Sequence, residues 1–272
     1  MSKIALITIH GMGKYKPKYY SELEEKLKDK LKASWSEVSF QPVDYGMDLQ
    51  KPEDSLWEKI TSEPKNQIKD HTLRQFFLYG FGDAGSLEHS LQTDKNTYLG
   101  AQLSILKALQ KALIDLDGDT SKPVVIIAQS LGCQVISNFI WDAKNNKNIF
   151  GEEGNAMLGG KVPTDFERLN SLSRLITTGC NIPVFVAGLS KRQCFERPNP
   201  AFIWDNFYDA NDVLGWPLRQ LDESYDIVND HPINAGGIFT SWNIASHGAY
   251  WGDKEVVDHL AHLLLEQIQT QA

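Results

Sequence analysis

A serine hydroxyl becomes a useful nucleophile when the backbone presents it on a tight bend and a base can take its proton. Residues 128–132, Ala-Gln-Ser-Leu-Gly, offer such a serine at Ser130. They depart from the G-x-S-x-G pattern only in carrying Ala128 at the first position. That pattern demands small residues two before and two after the serine, because a strand and a helix must come close on either side of a strained turn. Alanine is the next smallest residue after glycine. The setting fits: Val124–Ala128 is a pure apolar, β-branched run, and Val135, Ile136, Phe139 and Ile140 then fall on one face of a helix. A serine at a helix start is also an ordinary cap; the strand, turn and helix in succession favour the nucleophile.

The chain has seven histidines to serve as base. His259 and His262 lie in an amphipathic segment near the C-terminus, and His71 and His89 in an irregular stretch ahead of the serine. His231 precedes Pro232 in an expected turn, and His10 follows the first apolar run. His247 stands in Ser246-His-Gly-Ala-Tyr-Trp251, a loop just before the last helix, and His231 is its competitor. Acids cluster in residues 204–215, where Asp205 falls inside an expected strand and Asp209 and Asp212 at or beyond its end.

With these segments in this order, the chain resembles the α/β-hydrolase superfamily, in particular its compact lipase- and esterase-like members. The resemblance implies the chain order serine, acid, histidine. It selects His247 as base and Asp212, followed by Val-Leu, as the acid that orients it, with Asp209 as the alternative. It also implies two backbone amides for the oxyanion: that of Leu131, after the nucleophile, and that of Met12, in His10-Gly-Met-Gly13. The activity implied is hydrolysis of a carboxylic ester, a lipid ester and a thioester being open variants, through an acyl-enzyme and without metal or cofactor. Amidase, peptidase and acyltransferase chemistry on the same fold, or a binding protein without turnover, are the alternatives. The first strand is the one that carries the His-Gly loop, so the antiparallel strands that precede it in larger members are expected to be missing.

Around these motifs the sequence predicts an α/β fold of one domain over 1–272: a mostly parallel central sheet with helices on both faces. Strands are expected at Ile4–Ile9, Val38–Val43, Val124–Ala128, Arg174–Thr178, Phe202–Tyr208 and, on weaker patterning, Tyr225–Val228. Leu23, Leu27 and Leu31 mark a helix opened by a Ser21/Glu24 capping box. Thr97–Leu116 and Asp253–Ile268 give two more, and residues 144–164 read as a loop. An insertion separates the second and third strands, its part 44–96 a candidate lid. The aromatics Trp57, Phe76, Phe77, Tyr79 and Phe81 there could line an acyl pocket, although core is the commoner place for such density.

Composition narrows the partners. Lys and Arg number 27 against 35 Asp and Glu, a net charge of −8, which weakens any case for sequence-independent nucleic-acid binding. The lysines between Lys14 and Lys32 alternate with Glu22, Glu24 and Glu25 and read as a solvated helix face. Gly11-Met-Gly-Lys14 is not a phosphate loop, since Thr8 and Tyr15 occupy positions that need Gly and Ser or Thr. Three dispersed cysteines (133, 180, 194) suit neither a disulfide framework nor zinc. With no secretory signal and no membrane-length apolar run, the expected compartment is the cytoplasm and the expected partner a small-molecule or lipid ester.

Overall fold

The computed structural model describes residues 2–11, 18–45, 51–63, 69–71, 74–75, 78–79, 95–235 and 247–271. In chain order the elements are β1 (Ile4–Ile9), α1 (Ser21–Leu31), β2 (Val38–Val43), α2 (Lys51–Ser62), α3 (Lys95–Asp115), β3 (Val124–Gln129) and α4 (Leu131–Asn145). There follow α5 (Glu152–Met157), β4 (Leu172–Thr178), α6 (Ile182–Val186), β5 (Ile203–Asp209), β6 (Val228–Ile233) and α7 (Lys254–Thr270). The six strands form one sheet in the order β2-β1-β3-β4-β5-β6, and every neighbouring pair is parallel.

Buried on both faces, the central strands need no polar alternation, which is why β1 and β3 read as unbroken apolar runs. Their side chains divide by the period of two. Ala5, Ile7, Ile9, Val124, Ile126 and Ala128 enter one core with α3 and α4; Ile4, Leu6, Val125 and Ile127 enter the other with α1 and α7. On α7, Val256, Val257, Leu260 and Leu264 are all buried, at about 1.5–3 kcal/mol of transfer free energy each. The carboxylate of Asp253 caps that helix by accepting from the amides of Glu255 and Val256. Between α3 and α4 the buried Asp142 carboxylate accepts from Tyr98 Oη, Gln102 Nε2 and, from the loop beyond, Asn148 Nδ2, at 2.6, 2.5 and 2.7 Å.

Several local expectations are corrected. No capping box opens α1: Tyr20 occupies the cap position without a side-chain bond, and Ser21 is already helical. Residues 144–164 hold a 3₁₀ turn at Asn148–Phe150 and α5 as well as loop. The segment taken for a sixth strand is a 3₁₀ turn at Glu223–Ile227, and the strand itself begins at Val228 and contains His231 and Pro232. Proline is tolerated there because β6 is an edge strand. Residues 44–123 do separate β2 from β3 and carry α2 and α3. Much of the candidate lid over 44–96 lies outside the described residues, as do Phe76, Phe77 and Phe81. Tyr79 is buried and donates to Asp54 at 2.5 Å, and Trp57 meets His71 edge to face.

Strand order reverses direction between β1 and β3, because β2 lies on one side of β1 and the chain returns on the other. In open parallel sheets the crevice beyond the carboxyl ends at such a switch is where ligands bind. The loop after β1 and the turn after β3 are pressed together at that point. A Cβ on Gly132 would lie 2.4 Å from the carbonyl oxygen of His10 and 2.8 Å from that of Ile9, both backbone atoms that cannot swing aside. Gly132→Ala is therefore expected to destabilise the fold by about 2 kcal/mol or more through overpacking, read as a lowered thermal midpoint; an unchanged midpoint would mean that β1 and α4 are not so tightly apposed.

Candidate active site

Ser130 sits between β3 and α4 with φ 53° and ψ −124°, a conformation that L residues rarely adopt. Its amide donates to Thr178 O at 3.0 Å, anchoring the bend to the end of β4. Side chain and backbone are buried, at 1% exposure, and among the described residues Oγ has no hydrogen-bond partner. Across the bend lies Gly11, where a Cβ would stand 2.7 Å from Ser130 Cβ. The serine is no side-chain cap of α4, which begins without one.

His247 is brought to the same corner from the far end of the chain. Gln129, the residue before the serine, donates through Nε2 to the His247 carbonyl at 2.5 Å. Gly179, which follows Thr178, faces the imidazole: a Cβ there would come within 3.1 Å of both Cε1 and Nδ1. The imidazole itself is buried, and Nδ1 bonds Asp212 Oδ2 at 2.8 Å. A carboxylate only accepts, so Nδ1 carries the hydrogen, and in the neutral ring Nε2 is then left with its lone pair. Nε2 is buried and has no partner among the described residues. Ser130 Oγ and His247 Nε2 thus lie in one corner, neither bonded to any described residue nor to the other.

Asp212 follows β5 in a turn in which its amide donates to Asp209 O and Gly215 N–H donates back to Asp212 O. Its Oδ1 accepts from Leu214 N–H at 3.0 Å, and its Oδ2 accepts from Tyr250 Oη as well as from His247. Burial by itself pushes this carboxyl upward; the bonds from His247, Leu214 and Tyr250 outweigh it and hold the group below the usual carboxylate range. The alternative acid, Asp209, is buried at the end of β5 and turned elsewhere: its Oδ1 accepts from the amide and side chain of Asn211. Histidine thus pairs with Asp212 and not with Asp209.

Leu131 opens α4 beside the serine, where its amide belongs to the unsatisfied first turn of the helix. Met12 lies outside the described residues, so only its neighbours can be placed. His10 is buried, stacks on Tyr45 with ring centroids 4.2 Å apart, and donates from Nδ1 to Gly11 O at 2.8 Å. Burial pulls its pKa below the ordinary value. Tyr45 Oη in turn donates to His10 O at 2.6 Å, so the carbonyls of the peptides before and after Gly11 are both held.

The competitor His231 belongs to a second acid–imidazole group, on the α7 face of the sheet, where both of its imidazoles pack on Phe207. Its Nε2 bonds Asp205 Oδ1 at 2.8 Å, while His259 Nε2 on α7 lies 3.4 Å from Oδ2 and Asn229 Nδ2 donates to Oδ1 at 3.2 Å. Burial alone would raise Asp205; the two imidazoles and Asn229 more than reverse it, to about 2. Among the described residues no group of three His, Cys, Asp or Glu side chains is placed to hold a metal ion, and no helix is long and apolar enough to cross a membrane.

Pattern reading missed Gln129, Gly179, Gly215 and Tyr250. Tyr250 stands within the Ser246–Trp251 motif, three residues after the imidazole, and Gln129 within residues 128–132 at a position the pattern leaves open; the two glycines are recognised only by what they touch.

No family model matches the chain, and no curated protein does. Two solved structures of acetyl xylan esterase, one an iodinated complex at 1.80 Å and one at 0.90 Å resolution, are similar with a TM-score of 0.39 and 11% sequence identity. Each alignment covers 100% of this chain and 99% of the other. A likeness at this distance assigns no residue and no substrate.

Two predictions follow from the geometry. Lys32, at the end of α1, has φ 52° and ψ −122°, nearly the backbone of Ser130. Replacing either by glycine should relieve strain of about 1–3 kcal/mol, less about 1 kcal/mol for the freer unfolded chain. Ser130→Gly and Lys32→Gly should therefore both match or exceed the parent's thermal midpoint; a clearly lowered midpoint in either would remove the strain from that position. Asp205 has a folded value of about 2, below its unfolded value of about 3.9, so its contribution is present above pH ~4 and lost as pH falls through about 2. Thermal midpoints from pH 5 to 2 should drop less steeply in Asp205→Asn than in the parent; parallel curves would remove the carboxylate from the account.

Proposed function

We propose that the chain is a serine hydrolase of the α/β-hydrolase type that cleaves a carboxylic ester through an acyl-enzyme. The observation that carries this reading is the buried Asp212–His247 pair, whose unused Nε2 shares a corner with the unused hydroxyl of a serine on a strained strand-to-helix bend. Leaving a buried polar atom without a partner costs about 1–3 kcal/mol. Two such atoms at one place, together with backbone strain, are more easily understood as readiness for a reacting group than as structural economy.

In the proposed mechanism His247 Nε2 takes the hydroxyl proton as Ser130 Oγ attacks the carbonyl carbon. Asp212 holds the ring in the tautomer with Nδ1–H and stabilises the imidazolium that forms. The amides of Leu131 and Met12 receive the oxyanion. His247 then returns the proton to the leaving alcohol, and water, deprotonated by the same nitrogen, releases the acid. In unliganded enzymes such bonds are often long or poorly aligned and close only around substrate, which fits the lack of a hydrogen bond between Oγ and Nε2. Lipid esters and thioesters fit the same chemistry, and residues 44–96 are the proposed cover of the site.

The lack of that bond is also what favours the second reading, a hydrolase-like binding protein without turnover. A fluorophosphonate probe decides between them. The parent protein should be labelled, Ser130→Ala should not, and p-nitrophenyl acetate hydrolysis should fall by about 10³-fold or more in Ser130→Ala and His247→Ala. Failure to label, or labelling that survives Ser130→Ala, would establish the binding reading.

A further inference from the structure

We propose that Tyr250 is a positioning residue of the catalytic acid: its hydroxyl, itself held by the Asp209 amide, fixes the Asp212 carboxylate in the orientation that the imidazole requires. The inference rests on the triad reading and adds to it a residue that pattern reading had passed over.

Three bonds define the device. Asp209 N–H donates to Tyr250 Oη at 3.0 Å, and Tyr250 O–H donates to Asp212 Oδ2 at 2.8 Å. Oδ2 is the same oxygen that receives His247 Nδ1–H. Oδ1 is occupied separately by Leu214 N–H, so the carboxylate cannot rotate without breaking a bond at each oxygen. The phenol is fully buried, and a buried hydroxyl that both accepts from a backbone amide and donates to a charged group has one low-energy orientation. Burial, and next the facing Asp212 charge, raise the phenol's pKa well above the ordinary value, so it remains a donor throughout the working pH range.

Position in the chain strengthens the case. His247 and Tyr250 arrive on one short segment, and Asp209 and Asp212 on another. The tyrosine therefore bolts the segment carrying the base to the turn carrying the acid, at a second point beyond the acid–base bond itself. Gly215 leaves the room this needs: a Cβ there would lie 2.7 Å from both Asp212 Oδ2 and Tyr250 Oη. Gly179 does the same on the other side, where a Cβ would lie 2.8 Å from the Tyr250 ring and 3.1 Å from the imidazole. The titratable groups that face His247 are then Asp212 and Ser130, with Tyr250 and Asp209 standing behind Asp212.

The electrostatic consequence has a definite sign. A hydroxyl bonded to Oδ2 draws charge away from the oxygen that stabilises the imidazolium. Without it the carboxylate attracts the proton on His247 more strongly, and the imidazolium persists to higher pH. Orientation is lost at the same time, so the chemical step slows while substrate binding, in which the phenol takes no part, is unaffected.

The test is steady-state hydrolysis of p-nitrophenyl acetate from pH 5 to 9 by the parent, Tyr250→Phe and Gly215→Ala, each first checked for a parent-like near-ultraviolet circular dichroism spectrum. Gly215→Ala disturbs the same three atoms from the opposite side and serves if the phenylalanine variant does not fold. In a folded variant kcat should fall about tenfold with KM within twofold of the parent. The acid limb of kcat/KM should move upward by about half a pH unit, a fraction of the full worth of a bond to a charged group. A folded variant with kcat within twofold and an unmoved acid limb would overturn the proposal, as would a raised KM at constant kcat. Failure of the parent reading is seen separately: if fluorophosphonate labelling does not depend on Ser130, the triad falls and Tyr250 with it, whereas Ser130-dependent labelling with normal Tyr250→Phe kinetics removes Tyr250 alone.

Discussion

His247 and Asp212 are 35 residues apart in sequence and share one buried hydrogen bond, and the chain is arranged so that this bond can exist. A carboxylate taken out of water costs several kcal/mol unless its lone pairs are satisfied. Here they are: the imidazole and the phenol bond Oδ2, and an amide bonds Oδ1. The three donors come from two segments of the backbone. The turn after β5 supplies Leu214, and the segment ahead of α7 supplies both rings. Fixing that segment requires α7 to be seated on the sheet, which its buried Val and Leu face accomplishes. The polar centre therefore depends on an apolar contact elsewhere. A carboxylate bonded at both oxygens in this way also resists partial disruption, because removing any one donor leaves the others to carry a buried charge.

The second constraint is the crowding at the crossover between β1 and β3. Parallel strands bring their carboxyl ends to one edge of the sheet, so the loops that follow them compete for the same volume. The chain resolves the competition with residues that lack side chains. Gly11 lies against the serine and Gly132 against the β1 carbonyls, and Ala128 enters the core on the side of α4. The smallness that makes residues 128–132 recognisable as a motif is the trace of this packing. Gln129, between the small residues, reaches instead toward the His247 carbonyl and joins the nucleophile bend to the base segment directly.

The parts of the fold legible in sequence were those in which one physical rule acts alone. Doubly covered strands must be apolar throughout, so β1 and β3 declared themselves, and α7 showed its buried stripe at the helical period. β6 did not, because an edge strand of sequence Val-Asn-Asp-His-Pro-Ile exposes much of itself and carries a proline that reads as a turn. The 3₁₀ turn before it drew the strand assignment because Tyr225 and Ile227 supply the expected apolar pair. α5 and α6 are too short, at 6 and 5 residues, to display a period. In the candidate site, Ser130, His247 and Asp212 are singled out by their types and order in the chain. Asp212 was preferred to Asp209 on its neighbours alone, and the geometry pairs it with the imidazole. What escaped were residues whose contribution is defined by a partner distant in sequence: Gln129 toward His247, Tyr250 toward Asp212, Gly179 and Gly215 toward both rings. A glycine kept for the sake of a ring 68 residues away in the chain, as Gly179 is for His247, leaves no local pattern.

The chain contains two aspartate–histidine pairs of equal length, 2.8 Å, and the difference between them shows what a pair by itself does not establish. Asp205 is shared between two imidazoles from separate elements, β6 and α7, and the His231 side chain is 39% exposed. Such a carboxylate draws β6 and α7 together through its two imidazoles. His247 is shielded, at 7% side-chain exposure, and among the described residues its second nitrogen has no hydrogen-bond partner. In the neutral ring that nitrogen keeps a lone pair able to accept a hydrogen, and Ser130, on its strained bend, stands in the same corner of the fold. What separates the two pairs is therefore burial and surroundings and not the length of the acid–imidazole bond: one carboxylate is shared between two imidazoles, the first of them well exposed, and the other holds a single buried ring.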